Sequence, residues 1–305
     1  MGLVKRGEEL WHEEKSAEGE INVVKIDKII VEKETEFQDV LVCETPVYGR
    51  VLFLDNEVQS AQADEFIYHE SLIHPVMVMH QKPESILIMG AGEGATAREL
   101  FKHNTVKEIT AVDIDKDMMD ITKNYLEHWH QGAINDSRYS LLIQDARKYV
   151  ENTDKKFDII ISDLTDPLED SQVGRLYTKE FYQIMKTKMN TGGFFVAQAN
   201  TIDPEKMKTH SSIVKTLKEV FKNVRSYCAY VESFKSMWAF IIASDNEIEA
   251  KDIDKILESR NVSGLKFYDE HTHQRMFTVP KYGVKNIKEQ GRVLTDDMPM
   301  EGIYS

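Results

Sequence analysis

From Ser85 the sequence runs a short apolar segment, SILIMG, straight into Gly90-Ala91-Gly92-Glu93-Gly94 and out again into a helical pattern, ATARELFKHN. A strand that enters a glycine turn and leaves as a helix constrains a fold strongly. Glycine allows the tight turn and lets a ligand approach the backbone closely. The same beat continues downstream. EITAVDI (108–114), YSLLIQDA (139–146), FDIIISDL (157–164) and FFVAQA (194–199) read as strands. DKDMMDITKNYLEHW (115–129), KEFYQIMKTKM (179–189) and PEKMKTHSSIVKTLKEVF (204–221), the last opened by Pro204, read as helices. Alternating strand and helix predicts βαβ units in a doubly wound α/β sheet. SYCAYV (226–231) and WAFIIASD (238–245) are consecutive strands, which predicts an antiparallel hairpin at the sheet edge. KDIDKILES (251–259) predicts one more short helix, and the tail RVLTDDMPMEGIYS is irregular.

Before this region the rhythm has period two. Residues 21–33, 39–45 and 50–56 predict strands of a small antiparallel β unit, with turn chemistry at Tyr48-Gly49 and Asp55-Asn56. DEFIYHESLIHPVMVMH (64–80) predicts a helix with Asp64 as its N-cap. The expected division is an N-terminal β domain over 1–75 and a catalytic α/β domain over 76–305. The net charge of −14 argues against nucleic acid as a partner. Two cysteines, Cys43 and Cys228, supply neither a disulfide framework nor a four-cysteine zinc site. With no apolar leader and no apolar run of membrane-spanning length, the expectation is a cytoplasmic protein without membrane partners.

The glycine turn spells G-x-G-x-G, which favours an S-adenosylmethionine-type nucleoside over a dinucleotide. Asp113 ends the next strand, 19 residues beyond Gly94, where an acid can bond a ribose hydroxyl pair. Asp145 ends the strand after that, where an adenine amino group can be read, with Ala146 beside it. The bland reading of each acid alone is a solvated strand end or a helix cap. Glu93 lies inside the turn itself. A carboxylate there repels the carboxylate of S-adenosylmethionine and attracts an ammonium, which points to a decarboxylated, more cationic ligand. The fourth strand ends in Ser162-Asp163-Leu164-Thr165-Asp166-Pro167, where two carboxylates three residues apart can share a crevice that Pro167 helps to shape.

DNEVQSAQADEFIYHESLIHP, MGAGEGATARE, AVDID, QDAR, SDLTDP and LYTKEFY together resemble the polyamine aminopropyltransferases, the spermidine synthase family, from about Val23 to Pro280. The resemblance implies a Rossmann-like, methyltransferase-type sheet and aminopropyl transfer from decarboxylated S-adenosylmethionine as co-substrate. It implies no metal and a homodimer or homotetramer. By the same resemblance Asp163 is the catalytic base, Asp166 holds the acceptor amine, and Tyr68 lies near the reacting amine. Read from the residues alone, Tyr68 is equally a core aromatic. Gln38 and Gln59 flank the aminopropyl donor, Glu93 holds its ammonium, and Gly90, Gly92, Gly94, Asp113, Asp145 and Ala146 bind the nucleoside.

The chain departs from the putrescine-using enzymes at Val231–Trp238, where Phe234 replaces a tyrosine and the segment is one residue shorter. The FIYHESLIHP and SDLTDP segments, with Phe234 and Trp238 lining the acceptor, are similar to the thermospermine synthase branch and imply spermidine as acceptor. Putrescine and agmatine are the alternatives. Glu232, where the family commonly has proline, either holds a distal amine or faces water. Two other classes remain, a methyltransferase and a non-catalytic nucleoside- or polyamine-binding scaffold. Against the first, Ile88 stands where many methyltransferases carry an acid two places before the first glycine; against the second, Asp163 is present. The pairs His128/His130 and His271/His273 lack zinc-protease spacing and are expected at the surface or at helix ends, and His69 and His74 receive no role.

Overall fold

The computed structural model describes residues 1–166 and 172–300, so Pro167 lies outside the described residues. The N-terminal part holds two antiparallel sheets. One is three-stranded, from β1 (Gly2–Arg6), β2 (Glu9–Ala17) and β3 (Glu20–Ile26). The other is a four-stranded meander of β4 (Lys28–Glu34), β5 (Asp39–Thr45), β6 (Gly49–Leu54) and β7 (Glu57–Ala61). The single strand expected over 21–33 is therefore two strands in different sheets. The chain changes sheet at Asp27, whose N–H donates to the Glu44 carbonyl. Asp55 and Asn56 close the β6–β7 hairpin with φ of 51° and 67°, the left-handed pair that matches strand twist.

Helix α1 (Glu65–Met79) leads from the meander into the α/β part. Asp64 precedes it without capping it; one Asp64 carboxylate oxygen instead accepts from the Ser233 N–H at 2.7 Å. The α/β part is a seven-stranded mixed sheet ordered β10-β9-β8-β11-β12-β14-β13. Its strands are β8 (Ser85–Met89), β9 (Glu108–Asp113), β10 (Tyr139–Ile143), β11 (Phe157–Ser162), β12 (Met189–Thr201), β13 (Asn223–Val231) and β14 (Ser236–Ser244). The first five are parallel, and β13 and β14 form the expected antiparallel hairpin at one edge.

Both faces of the sheet are covered, which is why its central strands are apolar throughout. Ile86, Ile88, Ile159, Ile161 and Val196 face one core with α1. Leu87, Met89, Ile160 and Phe195 face the other, with α6 (Lys179–Thr187) and α7 (Lys208–Lys218). Each fully buried aliphatic side chain stabilises by roughly 1.5–3 kcal/mol before chain entropy is counted. Of the boundaries that differ from expectation, three have a clear local cause. Pro204 does not open α7; it sits in a turn closed by the Lys206 N–H and the Asp203 carbonyl. The helix expected over 115–129 is two, α3 (Lys116–Tyr125) and α4 (Glu127–His130), parted at Leu126. Gln144, Asp145 and Ala146 are not strand: Asp145 accepts from the Lys148 N–H and caps α5 (Ala146–Asn152). Two further helices, α9 (Glu270–Met276) and α10 (Lys281–Glu289), follow α8 (Ile253–Ser259). His130 and His273 are buried, while His128 and His271 are exposed.

Candidate active site

The glycine turn leads from β8 into α2 (Ala95–Phe101) with φ of 88° at Gly90, 48° at Gly92 and 80° at Gly94. The three positions differ in what surrounds them. A Cβ on Gly90 would stand 2.2 Å from the Asp163 carbonyl oxygen, so this glycine lets the ends of β8 and β11 meet. A Cβ on Gly94 would meet His130 and Ile134 at 2.8 Å. A Cβ on Gly92 would meet nothing within 4 Å, and this open side is where a nucleoside can approach. Asp113 orders the turn: its Oδ2 accepts from Ala91 N–H at 2.8 Å and from Gly92 N–H at 3.4 Å, while Oδ1 accepts from Asp115 N–H. Burial pushes the Asp113 carboxyl up, against these backbone donors.

The other expected nucleoside contacts lie around this rim. Asp145 caps α5, of which Ala146 is the first residue, as the bland reading of a strand-end acid has it. Gln38 donates through Nε2 to Asp115 Oδ2 at 2.9 Å, beside a Thr35 hydroxyl bond to the same oxygen. Gln59, on β7, makes only a long 3.4 Å bond to the Glu57 carbonyl.

At the end of β11 the structure brings Asp163 and Tyr68 together. The Tyr68 hydroxyl donates to Asp163 Oδ1 at 2.6 Å, and Thr96 Oγ1 donates to Oδ2 at 2.6 Å. Burial raises the Asp163 carboxyl, and the nearby Glu93 charge adds to the rise; the His69 charge and the two hydroxyl donors oppose it. Asp166 accepts from Gln198 Nε2 at 3.2 Å and Asn200 Nδ2 at 2.7 Å, and burial raises it as well. Buried Tyr177 lies in the field of both aspartates. The Phe234 ring meets Tyr68 edge-on at 5.9 Å and Trp238 at 4.8 Å, so three aromatic rings wall this side.

Glu93 is not a free carboxylate. Its Oε1 lies 3.2 Å from His69 Nε2, and His69 Nδ1 lies 2.9 Å from Glu65 Oε2. Burial opposes a charge on His69, yet bonds to Glu65 and Glu93 outweigh it and hold the imidazolium at about 10. Burial likewise opposes ionisation of Glu65, and its bonds to His69 and Arg98 bring it down to about 2. A histidine whose folded pKa lies above its unfolded value stabilises the fold fully below about 6.5 and loses that contribution as pH rises through about 10. Stability is therefore expected to fall between pH 7 and 10 by on the order of a few kcal/mol relative to His69→Gln. Urea melts of both proteins at several pH values check this, and parallel stability profiles would refute it.

Sequence reasoning passed over Thr96, His69, Gln198 and Asn200. The last two had a signal, since β12 ends in the crevice beside β11 and its end reads Gln198-Ala199-Asn200. Thr96 and His69 lie on helices, where no local pattern separates them from packing residues. Among the described residues no group of three or more histidine, cysteine, aspartate or glutamate side chains is arranged to hold a metal.

Comparison with known proteins bears on what such a site does. Residues 65–253 match the description "Spermine/spermidine synthase domain", and residues 10–62 match "Spermidine synthase tetramerisation domain". A polyamine aminopropyltransferase of Sulfolobus acidocaldarius is 42% identical over 294 residues, covering 95% of this chain and 97% of that protein. Polyamine aminopropyltransferase 2 of Hyperthermus butylicus is 39% identical over 291 residues, covering 93% and 94%. Among solved structures, spermidine synthase from Thermotoga maritima superimposes with a TM-score of 0.83 at 28% identity, covering 94% and 97%. A spermidine synthase bound to the transition-state analogue AdoDATO superimposes at 0.85 with the same identity and coverage.

Proposed function

The chain belongs to the spermine/spermidine synthase family and is a polyamine aminopropyltransferase, and from that premise we propose that its acceptor is spermidine and its product thermospermine. The reaction moves the aminopropyl group of decarboxylated S-adenosylmethionine to a polyamine. Methyl transfer and a non-catalytic scaffold are thereby set aside.

The observation that carries the acceptor reading is Phe234, whose ring packs edge-on to both Tyr68 and Trp238. A phenylalanine there offers no hydroxyl to a short diamine. The aromatic wall offers apolar and cation–π surface to the longer chain of a triamine.

In the proposed chemistry a nitrogen lone pair of the acceptor attacks the propyl carbon next to sulfur. The carbon–sulfur bond breaks, and the sulfur departs with the electron pair as a neutral thioether, methylthioadenosine. The acceptor nitrogen must first be neutral, which costs about 4–5 kcal/mol for an amine of pKa ~10.4 at pH 7. Asp163 takes that proton. Its burial, which raises its proton affinity, brings it closer to the amine it serves. Asp166, set by Gln198 and Asn200, holds the acceptor ammonium, and Tyr68 aligns the attacking nitrogen through Asp163. Glu93 receives the propyl ammonium of the donor. Asp113 takes the ribose, Asp145 and Ala146 the adenine, and Gln38 and Gln59 close over the donor from the N-terminal sheet.

The test is product analysis by mass spectrometry, with decarboxylated S-adenosylmethionine and putrescine, agmatine or spermidine offered in parallel. Spermidine is expected to gain one aminopropyl unit, with a product that co-elutes with thermospermine rather than its isomer spermine. Product from putrescine or agmatine alone would overturn the acceptor reading and leave the transfer chemistry intact.

We also read residues 1–75 as an N-terminal β domain that carries assembly while lending Gln38, Gln59 and Tyr68 to the site, and 76–305 as the catalytic α/β domain. The match of 10–62 to a tetramerisation domain supports a homo-oligomer, a dimer or tetramer. So do the exposed Ile21 and Val23 on β3, apolar positions suited to another copy. Light scattering of the parent and of a Val23→Glu variant is expected to give an oligomer and a smaller species respectively. A monomeric parent would refute this.

A further inference from the structure

We propose that Glu65 and Arg98 are positioning residues for the transfer: their two-pronged ion pair locks the His69 ring so that Glu93 is presented to the donor's propyl ammonium as a fixed carboxylate. The inference rests on the reading of Glu93 given above.

The geometry is a buried chain of alternating charge. Arg98 Nη1 donates to Glu65 Oε1 at 3.0 Å and Nη2 to Oε2 at 2.8 Å. Arg98 is itself held, since Nε donates to Glu99 Oε1 at 2.8 Å and Nη1 to the Trp129 carbonyl at 2.7 Å. The His69 Nδ1 faces the Glu65 carbonyl at 2.8 Å as well as Oε2 at 2.9 Å, and Nε2 faces Glu93 Oε1. Glu65, His69, Arg98 and Glu99 are all buried.

Both ring nitrogens of His69 therefore face acceptors alone. A neutral imidazole has one donor nitrogen and one acceptor nitrogen, so it would set a lone pair against a carboxylate. The imidazolium, with two donors, satisfies both sides. Such a ring cannot accept a hydrogen bond from a substrate ammonium. Its contribution is to fix Glu93 from one side, through Oε1. The groups bearing on His69 are Glu65 on its own helix, Glu93 from the glycine turn, the Tyr68 ring edge at 5.0 Å, and the charge of Asp163 from β11. The Ser60 hydroxyl, from β7, supports Glu93 further.

The experiment separates the ammonium from the nucleoside. The KM and kcat for decarboxylated S-adenosylmethionine are measured between pH 6 and 9 with spermidine and putrescine as acceptors. The Kd of methylthioadenosine, which has no propyl ammonium, is measured by calorimetry over the same range. Glu65→Gln is expected to raise the donor KM about tenfold at pH 8.5, as loss of a charge-assisted bond does, and less at pH 6.5, with methylthioadenosine affinity unchanged. The pH dependence arises because His69, left with Glu93 alone, gives up its proton at a lower pH. Arg98→Lys keeps the charge but loses the fork, and is expected to show the same signature with smaller amplitude. It also serves should Glu65→Gln not fold. An effect equal on both ligands, or flat with pH, marks a merely structural role and overturns the inference. Glu93→Gln is the control. A raised donor KM there, with Glu65→Gln and Arg98→Lys at parent values, sinks the inference alone. An unchanged donor KM in Glu93→Gln sinks the underlying reading of Glu93.

Discussion

Asp163→Asn is expected to lower turnover by at least about 10²-fold, the contribution of a positioned general base. The fold should survive, because an asparagine carbonyl can still accept one of the two hydroxyl bonds that Tyr68 and Thr96 make to Asp163. Donor affinity should change little, since the loss falls on the proton transfer. The pH profile adds a second readout. In the parent, activity falls on the acid side as Asp163, raised by burial, takes up a proton before the amine can give one. In the variant that limb disappears. Mass-spectrometric turnover beside a thermal melt checks both points, and near-parent rates in a folded variant would remove Asp163 from the mechanism.

The second large effect belongs to Gly90→Ala. The Gly90 φ of 88° lies in the left-handed region, which costs a side-chain-bearing residue about 1–2 kcal/mol. The added methyl would also stand 2.2 Å from the Asp163 carbonyl oxygen and 2.9 Å from its carbon. Both are backbone atoms, so no side chain can swing aside, and overpacking of this kind adds about 1–3 kcal/mol. Relief requires the end of β11 to move, and Asp163 moves with it. The expected result is a lower urea midpoint together with lost turnover. Gly92→Ala is the contrast. Its methyl meets nothing within 4 Å, so its stability should drop only by the backbone cost of about 1–2 kcal/mol. Methylthioadenosine binding should fall further than stability does, because the methyl occupies the ligand's side of the turn. Equal melting of parent and Gly90→Ala, with full activity, would refute the close-contact argument.

Much of the architecture was legible in the sequence because its signals are local. A β8 strand of Ser85-Ile86-Leu87-Ile88-Met89, buried on both faces, is apolar without a break, and that pattern is visible in one line of residues. The glycine turn is equally local, since three positive φ values within five residues favour glycine. The strand-end acids Asp113, Asp163 and Asp166 were found by the same logic, which places crevice residues at the ends of parallel strands. The division of residues 21–33 between two sheets was not legible. Nothing at Asp27 marks the change, because both halves alternate in the same way and only their partners differ. The two helices after Ser259 were missed for a similar reason: they are short, and their stability comes from what they pack against rather than from propensity.

The sequence by itself determined the strand–helix alternation that begins at Ser85, the glycine turn and the acids at its rim, since each follows from backbone sterics or from side-chain periodicity within a few residues. Tertiary structure decided the protonation and pairing of the site. Tyr68 meets Asp163 across 95 residues, and Arg98 meets Glu65 across 33. Whether His69 is a packing residue or a charged clamp on Glu93 depends on which carboxylates face its two nitrogens in a buried setting. That is a property of three-dimensional proximity and low dielectric, which no spacing along the chain encodes.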